Sequence, residues 1–225
     1  MAIATLGTAA SGVRNNSSGT TIDATHTLEA GDNRVAIAIA TIEDGSAIAS
    51  CTYGGVAMTA LTEKAHSSGG TAVRQRMFYL LHASLPADGS RTVTVTGTDA
   101  FLSGVLHVFT LQGVIQTTPE ATGTGEETTD TVVTAGITTI NNNAWIISGA
   151  GCNTNSTWTH GADQTEILDT SSGSSNSVAA TCTYEIKATA GAETESHTCS
   201  VSAGELVIFQ ASFAPFVEGG FFMFF

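Results

Sequence analysis

Apolar side chains along this chain recur at every second position, with small polar ones between them. The segments "RVAIAIATI" (residues 34–42), "RTVTVTGT" (91–98), "GVLHVFTL" (104–111) and "ELVIFQASF" (205–213) all keep this period of two. Such alternation sends successive side chains to opposite faces of a strand and predicts half-buried β-strands. Turn clusters interrupt it every 8–12 residues or so: "EDG", "YGG", "SSGG", "PADG", "NNN", "SSGS" and "TAGA". No segment carries the 3.6-residue periodicity of an amphipathic helix. The pattern predicts an all-β protein, a sandwich or a barrel.

The chain also repeats itself weakly. "CTYGGVAMTALTEKAHSSGG" (51–70) is echoed by "STWTHGADQTEILDTSSGS" (156–174), and Tyr53 to Trp158 and Tyr79 to Tyr184 are both steps of 105 residues. Each half then ends on an apolar strand. The expected arrangement is a single β-sandwich domain over 1–216, with halves at about 20–112 and 128–214. The Thr-, Gly- and carboxylate-rich stretch 113–127 would be a surface connection. The expected fold is a jelly-roll-like antiparallel β-sandwich built from these two weakly similar halves, both contributing to its sheets. The alternative is two immunoglobulin-like sandwich domains in tandem.

Charge narrows the range of partners. Lys and Arg total 7 against 20 Asp and Glu, for a formal charge of −13. Neutralising phosphates requires a basic surface, so nucleic acid is excluded as a partner on these grounds. No stretch approaches the roughly 20 apolar residues of a membrane span. The first residues, "MAIATLGTAASGVRNN", have neither the basic flank nor the apolar core of a secretory signal, which predicts a product made in the cytoplasm and not exported by the general route.

Candidate chemistry is sparse. No G-x-S-x-G, H-E-x-x-H or acidic calcium loop is present, and no C-x-x-C spacing suggests zinc. The expectation is a non-enzyme with no catalytic, cofactor or metal residues. Among the histidines, His107 reads as a packed strand residue, and His160 with Asp163 as a turn contact. Of the four cysteines, Cys182 and Cys199 flank "TAGA" (189–192), which reads as a hairpin turn. In the register of a two-residue loop they would face each other, close enough for a disulfide at a non-hydrogen-bonded pair. Buried free thiols are the alternative, as is a less favoured bond between Cys51 and Cys152. Tyr53 and Trp158, at matching places in the repeat, are either core residues or exposed platforms for a glycan.

The sequence ends "GGFFMFF". Phe221, Phe222, Met223, Phe224 and Phe225 would be an aggregation hazard unless a surface covers them. Gly219 and Gly220 provide a hinge that lets this segment leave the body. Residues 217–225 therefore read as an aromatic assembly tail, suited to bundling around a symmetry axis or plugging a neighbour's groove.

The order of "NRVAIAI", "CTYGGVAMTAL", "MFYLLHASLPADGSRTVTVTG", "GVIQTTP", "GADQTEILDTSSGS" and "LVIFQASFAPF", spanning 33–216, resembles a family of β-sandwich proteins of tailed bacteriophages and bacteria. The resemblance implies a jelly-roll, lectin-like module of virion surfaces or extracellular proteins, and it brings no known catalytic residue. It implies a capsid decoration or cement protein of a tailed bacteriophage, made in the host cytoplasm and placed on the capsid surface. Its partners would be further copies of itself, most readily as a trimer, and a major capsid protein. A carbohydrate- or receptor-binding module of a fibre or cell surface, with surface glycans as partners, is the alternative. A subunit of an extracellular filament or surface layer is a further one.

Overall fold

The computed structural model describes residues 1–43, 46–68, 72–173 and 177–217. The aromatic segment 221–225, with Gly219 and Gly220, lies outside the described residues. The expected strands form along both halves. The first half contains β1 (Ala4–Arg14), β2 (Gly19–Leu28), β3 (Val35–Ile42), β4 (Ile48–Tyr53), β5 (Val56–Ala57), β6 (Thr59–Ala60), β7 (Lys64–Ala65), β8 (Arg74–Leu81), β9 (Gly89–Phe101) and β10 (Gly104–Gln112). The second contains β11 (Ala121–Glu127), β12 (Val132–Thr138), β13 (Ala144–Cys152), β14 (Trp158–His160), β15 (Thr165–Ser171), β16 (Ala179–Lys187), β17 (Ala192–Cys199) and β18 (Leu206–Phe213). A single 3-10 turn at His82–Ser84 is the only helical element among the described residues.

The pairing is antiparallel throughout and follows one plan twice. In the first half, an inner sheet of order β1-β10-β3-β8-β6, with β7 also on β8, faces an outer sheet of order β2-β9-β4-β5. In the second, an inner sheet of order β11-β18-β13-β16-β15 faces an outer sheet of order β12-β17-β14. Each half places its first strand beside its last, the arrangement of a jelly roll. The repeat is thus structural: Tyr79 lies on β8 and Tyr184 on β16, the corresponding strands of the two inner sheets.

The all-β, antiparallel sandwich class is as the sequence implies, but the sheets are not shared. Among the described residues, strand ladders stay within a half, and only an isolated bridge between Val114 and Pro215 departs from them. The first half begins at β1, upstream of the expected start. The expected connection over 113–127 holds β11, which pairs with β18 along the edge of the second inner sheet. Its alternating exposure explains why it reads as loop: it is an edge strand of Thr, Gly and Glu, with little to bury.

The halves meet through their inner sheets. Val35, Ile37, Ile39, Met77, Tyr79, Phe109 and Leu111 from the first pack against Trp145, Ile147, Cys182, Phe209, Ala211 and Phe213 from the second. The inner strands β3, β10, β13 and β18 are consequently buried on both faces. In "VAIAIATI", Ala36, Ala38 and Ala40 face the first half's own core, while Val35, Ile37 and Ile39 face the seam. The alternation there separates small from large, not buried from exposed. Two glycines let the sheets approach: a methyl group at Gly149 would come within 3.0 Å of Ile39 Cγ2, and one at Gly151 would collide with Thr41 Cγ2.

Candidate functional site

Tyr53 closes β4 opposite Val93 and is fully buried, its hydroxyl 2.6 Å from His26 Nδ1. Burial pushes the Tyr53 phenol up to about 12 and lowers His26. Trp158 opens β14 opposite Cys199, is 5% exposed, and meets His197 edge-on at 6.5 Å. Neither ring offers a face to solvent, so the glycan platform expected of Tyr53 and Trp158 does not form. Both are core residues at equivalent places in the two sandwiches.

The cysteine register is also corrected. Cys182 lies on β16 and Cys199 on β17, but these strands belong to different sheets and do not form a hairpin. Cys182 points into the seam between the halves, and Cys199 into the interior of the second half. There the Cys199 sulfur lies 3.5 Å from Cys152, a partner sequence spacing does not reveal. All four thiols are free and buried.

The interior of the second half holds an unexpected line of polar groups. Ser148 Oγ is 2.8 Å from His197 Nε2, His197 Nδ1 is 3.1 Å from His160 Nδ1, and His160 Nε2 is 3.1 Å from Glu166 Oε2. One tautomer assignment satisfies all three contacts with neutral rings. The Ser148 hydroxyl donates to His197, His197 Nδ1–H donates to His160, and His160 Nε2–H donates to the carboxylate. Burial, reinforced by His160, lowers His197 to about 3 and keeps it neutral. The order resembles a nucleophile relay, but Ser148 is fully buried and presents no face to a substrate. His160 therefore pairs with Glu166 on β15, not with Asp163. Beside this line, burial raises Glu195 to about 8, with Glu185, Glu193 and Asp163 adding to the rise.

An apolar groove of about 400 Å³ lies where the described chain ends. Met1, Ile3, Trp145, Ile186, Phe216 and Val217 are among its lining residues. Trp145 stacks on Tyr184 with ring centres 4.2 Å apart, fixing the groove's floor. The Phe216 N–H donates to Gly113 O at 2.7 Å, and the Met1 ammonium donates to Phe216 O at 3.0 Å, so both ends of the described chain are anchored here. Met1, Ile186 and Val217 are 52%, 51% and 77% exposed. Ile186 shares the strand face of Cys182 and Tyr184 but lies beyond the cover of the opposing sheet. Its signal in the sequence is an apolar residue between Glu185 and Lys187 at a strand end.

Among the described residues, no three His, Cys, Asp or Glu side chains are placed to hold a metal ion, and no helix is long and apolar enough to cross a membrane. No family model and no curated protein matches the chain. Several solved structures are distantly similar, among them two that span most of the chain. One, described as an anti-sigma factor domain-containing protein, is 7% identical with a TM-score of 0.22, covering 87% of this chain and 82% of its own. The other, described as Red Clover Necrotic Mosaic Virus, is 10% identical with a TM-score of 0.24, covering 96% and 91%. Similarity at this level carries no functional argument.

Proposed function

We propose that this chain is a non-enzymatic structural protein that acts by protein–protein binding, as a decoration or cement protein on the capsid of a tailed bacteriophage. The observation that carries the binding role is the apolar groove around Trp145 and Ile186, lined also by Phe216 and Val217, the last described residues. The proposed occupant is residues 221–225 of a neighbouring copy. Four phenylalanines that bury about 150–250 Å² each supply roughly 600–1,000 Å², comparable to the ~800 Å² per partner of a stable interface. In a closed symmetric assembly, three tails also shield one another. The capsid assignment rests on the family resemblance. The carbohydrate alternative loses both of its aromatic platforms to the core.

Deletion of residues 219–225 tests this reading. Native mass measurement should give an oligomer for the full chain and a monomer for the truncated one, with the truncated monomer's Tm nearly unchanged. A truncated chain that still assembles would refute it. So would a Tm several degrees lower, because the tail would then belong to its own core. Addition to undecorated capsids checks the second partner, and open-ended fibres in place of a closed oligomer would favour a filament subunit.

A further inference from the structure

The two sheets of the second half share no backbone ladder, yet each carries a thiol at the same level of the sandwich. Cys152 is the last residue of β13 in the inner sheet, and Cys199 is the last residue of β17 in the outer one. Their sulfurs are 3.5 Å apart. A disulfide is about 2.05 Å long, so each sulfur needs to move only about 0.7 Å, within reach of a small side-chain rotation. The pair is walled by Trp158, Ala179, Ala203 and Leu206. Ser156 Oγ is 3.0 Å from the Cys199 sulfur and also accepts the Ser200 N–H.

We propose that Cys152 and Cys199 are an oxidation site, converted by a peroxide-class oxidant to a disulfide that staples the two sheets of the second half. The thiols are unequal partners. Contact with the Cys152 sulfur holds Cys199 below the ordinary thiol range and outweighs burial there, with Ser156 adding to it, while the same contact and burial push Cys152 up. Cys199 is accordingly the attacking thiolate. Its sulfur forms a bond to one peroxide oxygen, the O–O bond breaks, and hydroxide leaves, giving a sulfenic acid. Cys152 then attacks that sulfur: the S–S bond forms, the S–O bond breaks, and the Cys152 proton leaves with the oxygen as water. Two thiols and one hydrogen peroxide give one disulfide and two waters, the two electrons passing from sulfur to the peroxide.

Size selects the oxidant. Cys152 and Cys199 are 0% and 1% exposed, so a bulky disulfide such as oxidised glutathione lacks the in-line approach that exchange requires. The exposed residues Ser200 and Val201 directly follow Cys199, leaving a short path for a small molecule once the strand end frays.

The test treats the full chain with a small excess of hydrogen peroxide and, in a parallel arm, with oxidised glutathione. Non-reducing peptide mapping of the wild-type chain should find Cys152 joined to Cys199, formed much faster with peroxide, with Cys51 and Cys182 still reduced. The cross-linked chain should melt roughly 5–15 °C higher, because the bond constrains a long unfolded loop. In Cys152→Ser, which keeps a polar partner beside Cys199 but no resolving thiol, a sulfenic acid should be trapped on Cys199. Dominant linkage of Cys182, or peroxide-treated wild type with both thiols intact, would overturn the proposal. Glutathione cross-linking at the peroxide rate would overturn the choice of oxidant. The mapping needs no variant, so a Cys152→Ser chain that fails to fold leaves the decisive measurement in place.

Discussion

The two halves share a strand order and differ in what that order encloses. The first half closes on Ile22, Leu28, Ile42, Phe78, Val95 and Leu106, with the Tyr53–His26 pair as a polar interruption. The second encloses Ser148, Thr181, Thr183, Glu195, His197 and Gln210, all buried, beside a smaller apolar cluster around Trp158. One topology thus tolerates an apolar interior and a polar one. Strand period and turn placement specify the ladders, and the interior need only be filled. The difference is in how each half responds to stress. An apolar interior fails by cavity formation, and a polar one by losing a partner or a proton.

Three measurements break or sharpen this contrast. The largest effect should come from Phe78→Ala, which opens a cavity in the first half and should cost about 3–5 kcal/mol by denaturant unfolding. A loss under about 1 kcal/mol would mean that this interior is not tightly packed.

Next comes pH. Glu195 is raised to about 8 by burial and by Glu185, Glu193 and Asp163, so in this range the folded chain binds more protons than the unfolded one. Its stabilisation is complete below the ordinary carboxylate range and is lost as pH rises through about 8. Glu195→Gln should flatten that decline, recovering on the order of 2 kcal/mol at high pH once the coupling to Glu185 is allowed for. Hydrogen exchange should place the alkaline loosening in β12, β13 and β17, with β2 and β9 protected. The acid limb belongs to both halves, because His26 and His197 are both lowered by burial and resist protonation when folded. An alkaline decline unchanged in Glu195→Gln would remove the acid from this account.

The smallest effect is expected from Ser148→Ala, which removes the donor to His197 Nε2 and should cost about 1–2 kcal/mol. Exchange should quicken along β13 and β17 only. Equal loosening of both halves would show that the seam, not the interior, sets their stability.

The sequence makes the strands, their antiparallel class and the twofold repeat legible, because period-two patterning and turn chemistry are local signals. Tyr79 and Tyr184 mark equivalent strands without any structure in view. What the local signal lacks is the identity of the neighbour. "TAGA" correctly marks a chain reversal, but β17 crosses to the opposite sheet instead of lying beside β16, and so Cys199 meets Cys152 and not Cys182. In "VAIAIATI", strict alternation conceals a strand with no exposed face. The His160 partner is missed by three residues for a related reason: Asp163 lies in the turn, whereas Glu166 is on β15, which returns beside the ring.

The seam between the inner sheets has a consequence for how this sequence can vary. A residue on β3, β10, β13 or β18 borders two interiors at once through its strand, so a drift in strand position on either side disturbs both. Gly149 and Gly151 are pressed against Ile39 and Thr41, so that a methyl group at either would force the facing side chain to move. Freedom to diverge is therefore distributed by layer. The solvent faces of β2, β9, β12 and β17, carrying residues such as Thr25, Thr92, Thr134 and Thr194, can be rewritten without the centre registering the change. Related chains would keep a stiff, slowly changing middle and differ on the two outer skins, where new contacts can be gained without refolding anything.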